Sequence, residues 1–233
     1  MRTAAQRPHS DLEGTDPRAP FCRGPVVGRL VRRIELPEGA RVLEWGVAHG
    51  STASALAALG LQVTVVDPDE AALERVLAGV SSEVAAIKAE RPPASAIGQV
   101  DLLLLHGRDA LGADAPRIAR EFLSAEGRVA FVRPVRVLGR PPPAQIEAWE
   151  KLWKVTLPTP QEVLGLLAPA GYEPDYSETL GTEEMDALYA LVPEELAAEQ
   201  ALQRAGSAAI SFTFVVGRRR EPEEKPRPSR DRG

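Results

Sequence analysis

Two short apolar runs in this chain end in acids whose spacing suits a nucleoside. In Val42-Leu43-Glu44-Trp45-Gly46-Val47-Ala48-His49-Gly50, an apolar stretch closes on a carboxylate and passes into a loop of small residues ahead of a helical run at 51–59. Gly46, Ala48 and Gly50 keep side chains off that loop, so backbone amides at a helix start can approach a ligand closely. The next apolar run, 61–66, delivers Asp67 to its end. A carboxylate there can accept hydrogen bonds from both vicinal hydroxyls of a ribose. His106 directly follows a third apolar run, 100–105. With a pKa near working pH, its neutral imidazole can take a proton from a hydroxyl.

The segment from Arg41 to Pro68 resembles the cofactor-binding half of the class I S-adenosylmethionine-dependent methyltransferases. Their first loop usually reads acid-x-Gly-x-Gly-x-Gly; Glu44, Gly46 and Gly50 match it, and Ala48 stands at the middle glycine. An alanine is accommodated there if the position keeps negative φ. The resemblance spans roughly 25–217 and implies S-adenosylmethionine as cofactor. It implies that Glu44 faces the amino-acid end of the cofactor and that Gly46, Val47, Ala48, His49 and Gly50 line it. It further implies that Asp67, with Pro68 beside it, holds the ribose hydroxyls, and that Glu90 is the acid at the adenine end. The implied activity is methyl transfer to a small-molecule acceptor, governed more by alignment with the methyl carbon than by a base. His106 is the candidate catalytic residue.

Each of these residues has a plainer reading. Asp67 followed by Pro68 also suits a helix N-cap. Glu44 also suits a strand-end acid bonded to loop amides, and His106 suits packing over the cofactor or binding water. Trp149 and Trp153 share one helical stripe with Ile146, which fits either core or an acceptor pocket. Arg133 and Arg136, expected just past the fifth strand, suit an anionic acceptor or solvated surface. Ala48, with Trp45 and His49 inside the loop, also motivates a second function: a non-catalytic methyltransferase-like binding or scaffold protein. A nicotinamide-dependent oxidoreductase shares the pattern of a glycine turn and a later acid. It is disfavoured because GxGxxG is missing at this turn and Tyr-x-x-x-Lys is missing throughout.

The elements that must position these groups follow from periodicity. Helical spacing at Val27, Leu30, Val31 and Ile34 predicts a lead-in helix, and strands are expected near 42–45, 61–66, 83–87, 100–105 and 129–132. The near-continuous apolar run 100–105 is that of a central parallel strand buried on both faces. Helices are expected at 69–80, 115–124, 143–154, 159–168 and 182–205, the last interrupted at Val192-Pro193, and closing strands at 171–176 and 208–216. This alternation predicts an α/β fold: a doubly wound, mostly parallel seven-stranded sheet, Rossmann-like as in the methyltransferases, with an antiparallel last strand.

At 233 residues with 44% apolar and 26% charged side chains, one large domain is expected. Residues 1–24 and 218–233 read as disordered, solvated ends around a domain at 25–217, in which 139–205 holds acceptor-covering segments. The two ends are net basic, which leaves the middle at −9 of a total of −5. An acidic body argues against a nucleic-acid footprint. Neither a membrane span nor a signal-peptide centre is evident, so a cytoplasmic location is expected. One cysteine and three histidines, without ligand spacing, give no expectation of a metal.

Overall fold

The computed structural model describes residues 33–47, 51–79, 84–105, 114–137, 143–153, 155–190, 197–206 and 209–220. Its chain order is β1 (Arg41–Trp45), α1 (Ser51–Ala58), β2 (Gln62–Asp67), α2 (Glu70–Gly79), β3 (Val84–Lys88), α3 (Ala94–Ile97), β4 (Val100–Leu105) and α4 (Ala115–Ala119). It continues with β5 (Leu123–Arg136), α5 (Pro143–Trp153), α6 (Pro160–Leu164), a 3-10 turn (Ala168–Ala170), β6 (Tyr172–Thr179), α7 (Thr182–Ala190), α8 (Ala197–Ala205) and β7 (Ile210–Arg219).

The strands form one seven-stranded sheet in the order β3-β2-β1-β4-β5-β7-β6. β3, β2, β1, β4 and β5 pair in parallel, while β7 runs antiparallel between β5 and β6. Strand order reverses direction between β1 and β4, which is where open α/β sheets leave a crevice at their carboxyl ends. Trp45 stands opposite both Val66 and Leu105, and Asp67 opposite Lys88, so four strand ends share one rim.

The apolar runs bury both faces of the sheet. Val42, Val63, Val65, Leu102 and Leu104 pack under α1 and α2 through Ala53, Leu56, Leu73 and Val76. Leu43, Trp45, Leu103, Leu105 and Phe131 pack on the other face against Ala115 and Ala119 of α4 and Val163 of α6. A third cluster joins α5, α7 and β7 around Trp149, Trp153, Met185, Tyr189 and Phe212. The stripe on α5 is therefore core: the two indoles lie 4.6 Å apart and both are buried. Trp153 Nε1 donates to the buried Glu199 Oε1 at 2.8 Å, tying α5 to α8. Trp153→Phe is expected to lower stability by about 2 kcal/mol, from the lost bond and lost packing. Urea denaturation measures this, and an unchanged midpoint refutes it.

Tertiary pairing moved some boundaries. The helix expected over 115–124 ends at Ala119, because Leu123 pairs with Val100 and already belongs to β5. Residues 125–127, between the helix and the strand expected there, lie inside β5, where five steps along β5 match two along β4. A Cβ on Gly127 would sit 3.0 Å from the Val100 carbonyl oxygen and from the Ser124 amide nitrogen, a tight fit that the backbone would have to relieve by a small shift. Arg133 and Arg136 lie within β5 rather than after it, and β7 takes in Arg218 and Arg219, beyond the expected boundary at Gly217. Arg218 pairs with Glu173 across the β6–β7 ladder at 2.7 Å. Among the described residues no helix is long and apolar enough to cross a membrane.

Candidate functional site

Strand alternation sends the last two side chains of β1 to opposite faces. Trp45 joins Leu43 in the cluster under α4, while Glu44 lies on the face of Val42, below α1. The chain then turns at Gly46, whose φ is +81° and whose amide donates to the Val66 carbonyl at 2.9 Å. Any residue with a Cβ would hold that left-handed conformation at a cost of about 1 kcal/mol or more. The glycine expected from the sequence is thus required by the turn itself.

Asp67 ends β2 beside this turn and is 8% exposed. Its Oδ2 accepts the Val47 amide at 2.7 Å and its Oδ1 accepts the Asp69 amide at 2.8 Å. One carboxylate therefore clamps the loop after β1 to the loop after β2. It is not the helix cap: α2 starts at Glu70, and Asp69 Oδ1 accepts the Ala71 amide at 3.0 Å. Burial raises the Asp67 pKa; the Asp69 and Val47 amides work against that rise, as does the charge of Arg75. Pro68 follows directly and carries the chain into α2.

Glu44 is 1% exposed. Burial pushes its pKa from an ordinary value of 4.5 up to about 8; the Thr52 hydroxyl lowers it in part, and the neighbouring charge of Asp67 raises it further. Two carboxylates thus share the ends of β1 and β2, and the more buried one retains a proton near neutral pH. Thr52, fully buried in the first turn of α1, completes this arrangement. Sequence reasoning passed it over; its position two residues after Gly50 was the available signal.

At the end of β3, Lys88 pairs with Glu70 at 2.6 Å on the surface. Each partner shifts the other's pKa through that hydrogen bond: Glu70 down and Lys88 up. Glu90 is exposed, and its backbone carbonyl accepts the Trp45 indole N–H at 3.1 Å. This link between β1 and the loop after β3 was also not foreseen, because 45 residues separate the partners. Glu44, Gly46, Val47, Asp67, Pro68 and Glu90 therefore gather at one rim, while Ala48, His49, Gly50 and His106 lie outside the described residues. Along the same sheet edge, burial lowers the pKa of Arg133, and Arg136 Nη2 lies 3.6 Å from Glu162 Oε2. Among the described residues no group of three or more His, Cys, Asp or Glu could hold a metal ion.

No protein-family model and no curated protein matches the sequence. Solved structures match the fold. A methyltransferase from Thiobacillus denitrificans, in complex with S-adenosyl-L-homocysteine, aligns at TM-score 0.64 and 17% identity over 88% of this chain and 93% of that one. One from Geobacter sulfurreducens, with the same ligand, aligns at 0.64 and 15% over 85% and 92%. Geranyl diphosphate C-methyltransferase from Streptomyces coelicolor A3(2), in complex with Mg2+, geranyl diphosphate and S-adenosyl-L-homocysteine, aligns at 0.63 and 15% over 83% and 78%. Strand order, the antiparallel β7 and these likenesses agree: the chain has the seven-stranded, Rossmann-like fold of the class I S-adenosylmethionine-dependent methyltransferases.

Proposed function

We propose that this chain binds S-adenosylmethionine at the carboxyl edge of β1 and β2 and transfers its methyl group to a small-molecule acceptor. The observation that carries this reading is the Asp67 clamp beside the positive-φ turn at Gly46, with the buried Glu44 next to it. The residues fit the ligand by count. A carboxylate offers about four lone-pair positions, and the amides of Val47 and Asp69 take one on each oxygen of Asp67, which leaves room for two ribose hydroxyls. In this reading Gly46 and Val47, with Ala48, His49 and Gly50 after them, line the amino-acid end. Glu44 complements the ammonium, Pro68 borders the sugar, and the carboxylate of Glu90 accepts from the adenine amino group.

When bound, the donor supplies a methyl group on a sulfonium that leaves as a neutral thioether. The protein's own task is then to hold that carbon in line with the acceptor and to keep water out. The buried rim of Trp45, Val47 and Asp67 suits water exclusion. His106, one residue past β4, is assigned to receive an acceptor proton where the acceptor must lose one.

Isothermal calorimetry and thermal shift with S-adenosylmethionine and S-adenosylhomocysteine test this directly. Micromolar binding is expected, and no heat and no shift at millimolar ligand overturns it. Alanine at position 48 of the small-residue loop, with the bulky Trp45 buried at its start, favours one second reading: a non-catalytic relative that keeps the fold as a binding or scaffold module. Donor binding without any methyl transfer across a broad panel of small acceptors would favour it.

A further inference from the structure

We infer that Trp45 is a positioning residue for the nucleobase end of the proposed donor site, holding the loop after β3 in place from two strands away. The inference rests on the donor reading above and adds a determinant of base selectivity to it.

β1 and β3 are not neighbours, since β2 lies between them. Trp45 nevertheless reaches the β3 loop, because its side chain leaves β1 on the α4 face and its indole N–H meets the Glu90 carbonyl at 3.1 Å. The ring is 5% exposed and packs in the cluster that holds Val66, with Ile87 and Ala89 against it. It thus runs beneath the end of β2, whose last residue is the Asp67 assigned to the sugar. A second tie acts on the same loop: the Ala89 amide donates to the Asp67 carbonyl at 3.1 Å. Between them these bonds use the Ala89 N–H and the Glu90 C=O, so the backbone that carries the exposed Glu90 side chain is tied to β1 and β2.

The chemistry of base discrimination follows. A carboxylate held at a fixed position accepts from an exocyclic amino group, but it faces a carbonyl oxygen on the deaminated base, where two acceptors oppose each other. Discrimination of this kind depends on the loop being held still, because a mobile carboxylate can swing away from a mismatched edge. Trp45 holds the peptide that carries that carboxylate.

The experiment compares dissociation constants of S-adenosylhomocysteine and S-inosylhomocysteine for the full chain and for Trp45→Phe, which keeps a buried ring and removes the N–H. Wild type is expected to prefer the adenosyl ligand. In Trp45→Phe, S-adenosylhomocysteine should bind about five- to tenfold more weakly, as expected for one lost hydrogen bond, and the preference between ligands should shrink toward one. Equal weakening of both ligands, with the preference kept, would mark Trp45 as a structural residue and overturn the inference. Unchanged or tighter binding would overturn it too, the latter because the indole then obstructs the site. If wild type binds neither ligand, the donor reading fails and takes this one with it. Should Trp45→Phe not fold, hydrogen exchange on wild type decides: S-adenosylhomocysteine should slow exchange at the Glu90 and Arg91 amides, and binding without that protection overturns the inference.

Discussion

Glu44→Gln is expected to make the protein more stable above neutral pH and to weaken donor binding. The carboxyl group is buried, with a pKa raised from 4.5 to about 8, burial being the largest cause. Between these two values the folded protein holds a proton that the unfolded chain has released, so the contribution of Glu44 to stability falls as pH rises through that window. Below 4.5 both states hold the proton and above about 8 neither does, so the slope is confined to the interval between. At about 1.4 kcal/mol per pH unit, the whole window is worth at most about 5 kcal/mol. Glutamine carries no titrating group, so the part of the slope that Glu44 contributes should vanish. The variant should match wild type at the acid end and exceed it by several kcal/mol at about pH 9.

Urea denaturation of both proteins across that range reads the difference directly, and parallel stability profiles would sink the prediction. A buried acid that stays neutral in the free protein and ionises only opposite a bound ammonium has a distinctive pair of effects: replacing it by glutamine raises stability at alkaline pH and lowers affinity. A purely structural acid would lose both together. Calorimetry with S-adenosylhomocysteine on the same variant supplies the second half of that test.

Asp67→Asn should lower both. The present carboxylate accepts two amides, from Val47 and from Asp69, and an asparagine side chain has a single oxygen with which to accept. Whichever way the amide is turned, its NH2 meets a backbone N–H head-on and leaves it unsatisfied. One such orphaned donor costs about 2 kcal/mol. Either the loop after β1 would lose its Val47 bond to Asp67 or the loop after β2 its Asp69 bond, and on the donor reading the ribose hydroxyls would lose a charged acceptor. The expected weakening of S-adenosylhomocysteine binding is roughly 100-fold or more, from bonds worth about 1.5–3 kcal/mol each when one partner is charged. Asp67→Ala removes the side chain altogether and should lose binding at least as fully. If Asp67→Asn binds S-adenosylhomocysteine as wild type does, Asp67 is a loop clamp only.

Much of the sheet was readable in advance. β1, β2 and β4 are short segments rich in Val and Leu, and a strand buried on both faces needs little else to announce itself. The helix after Gly50 and the interrupted helical stretch before β7 were also visible as periodicity. The start of β5 was not: Leu123 belongs to the strand because Val100 pairs with it, and nothing local in Leu123-Ser124-Ala125 distinguishes that from a helix end. Asp67 shows the same limit at the site. Asp-Pro is a helix-start signal, yet Asp69 does the capping, while the two oxygens of Asp67 accept the Val47 amide from the loop after β1 and the Asp69 amide.

The sequence by itself determined which residues could do chemistry and roughly where the chain would bend to present them. A glycine at 46 permits the turn, an acid at 67 ends a strand, and a glutamate at 44 precedes the loop, all through local sterics and apolar patterning. Only the tertiary structure decided what state those groups are in. The protonation of Glu44 depends on the desolvation that α1 imposes, the clamp made by Asp67 on a strand pairing twenty residues back, and the hold of Trp45 on Glu90 on β2 lying between their strands. Burial and long-range hydrogen bonds are properties of packed neighbours, and a linear order of residues does not contain them until the chain has closed on itself.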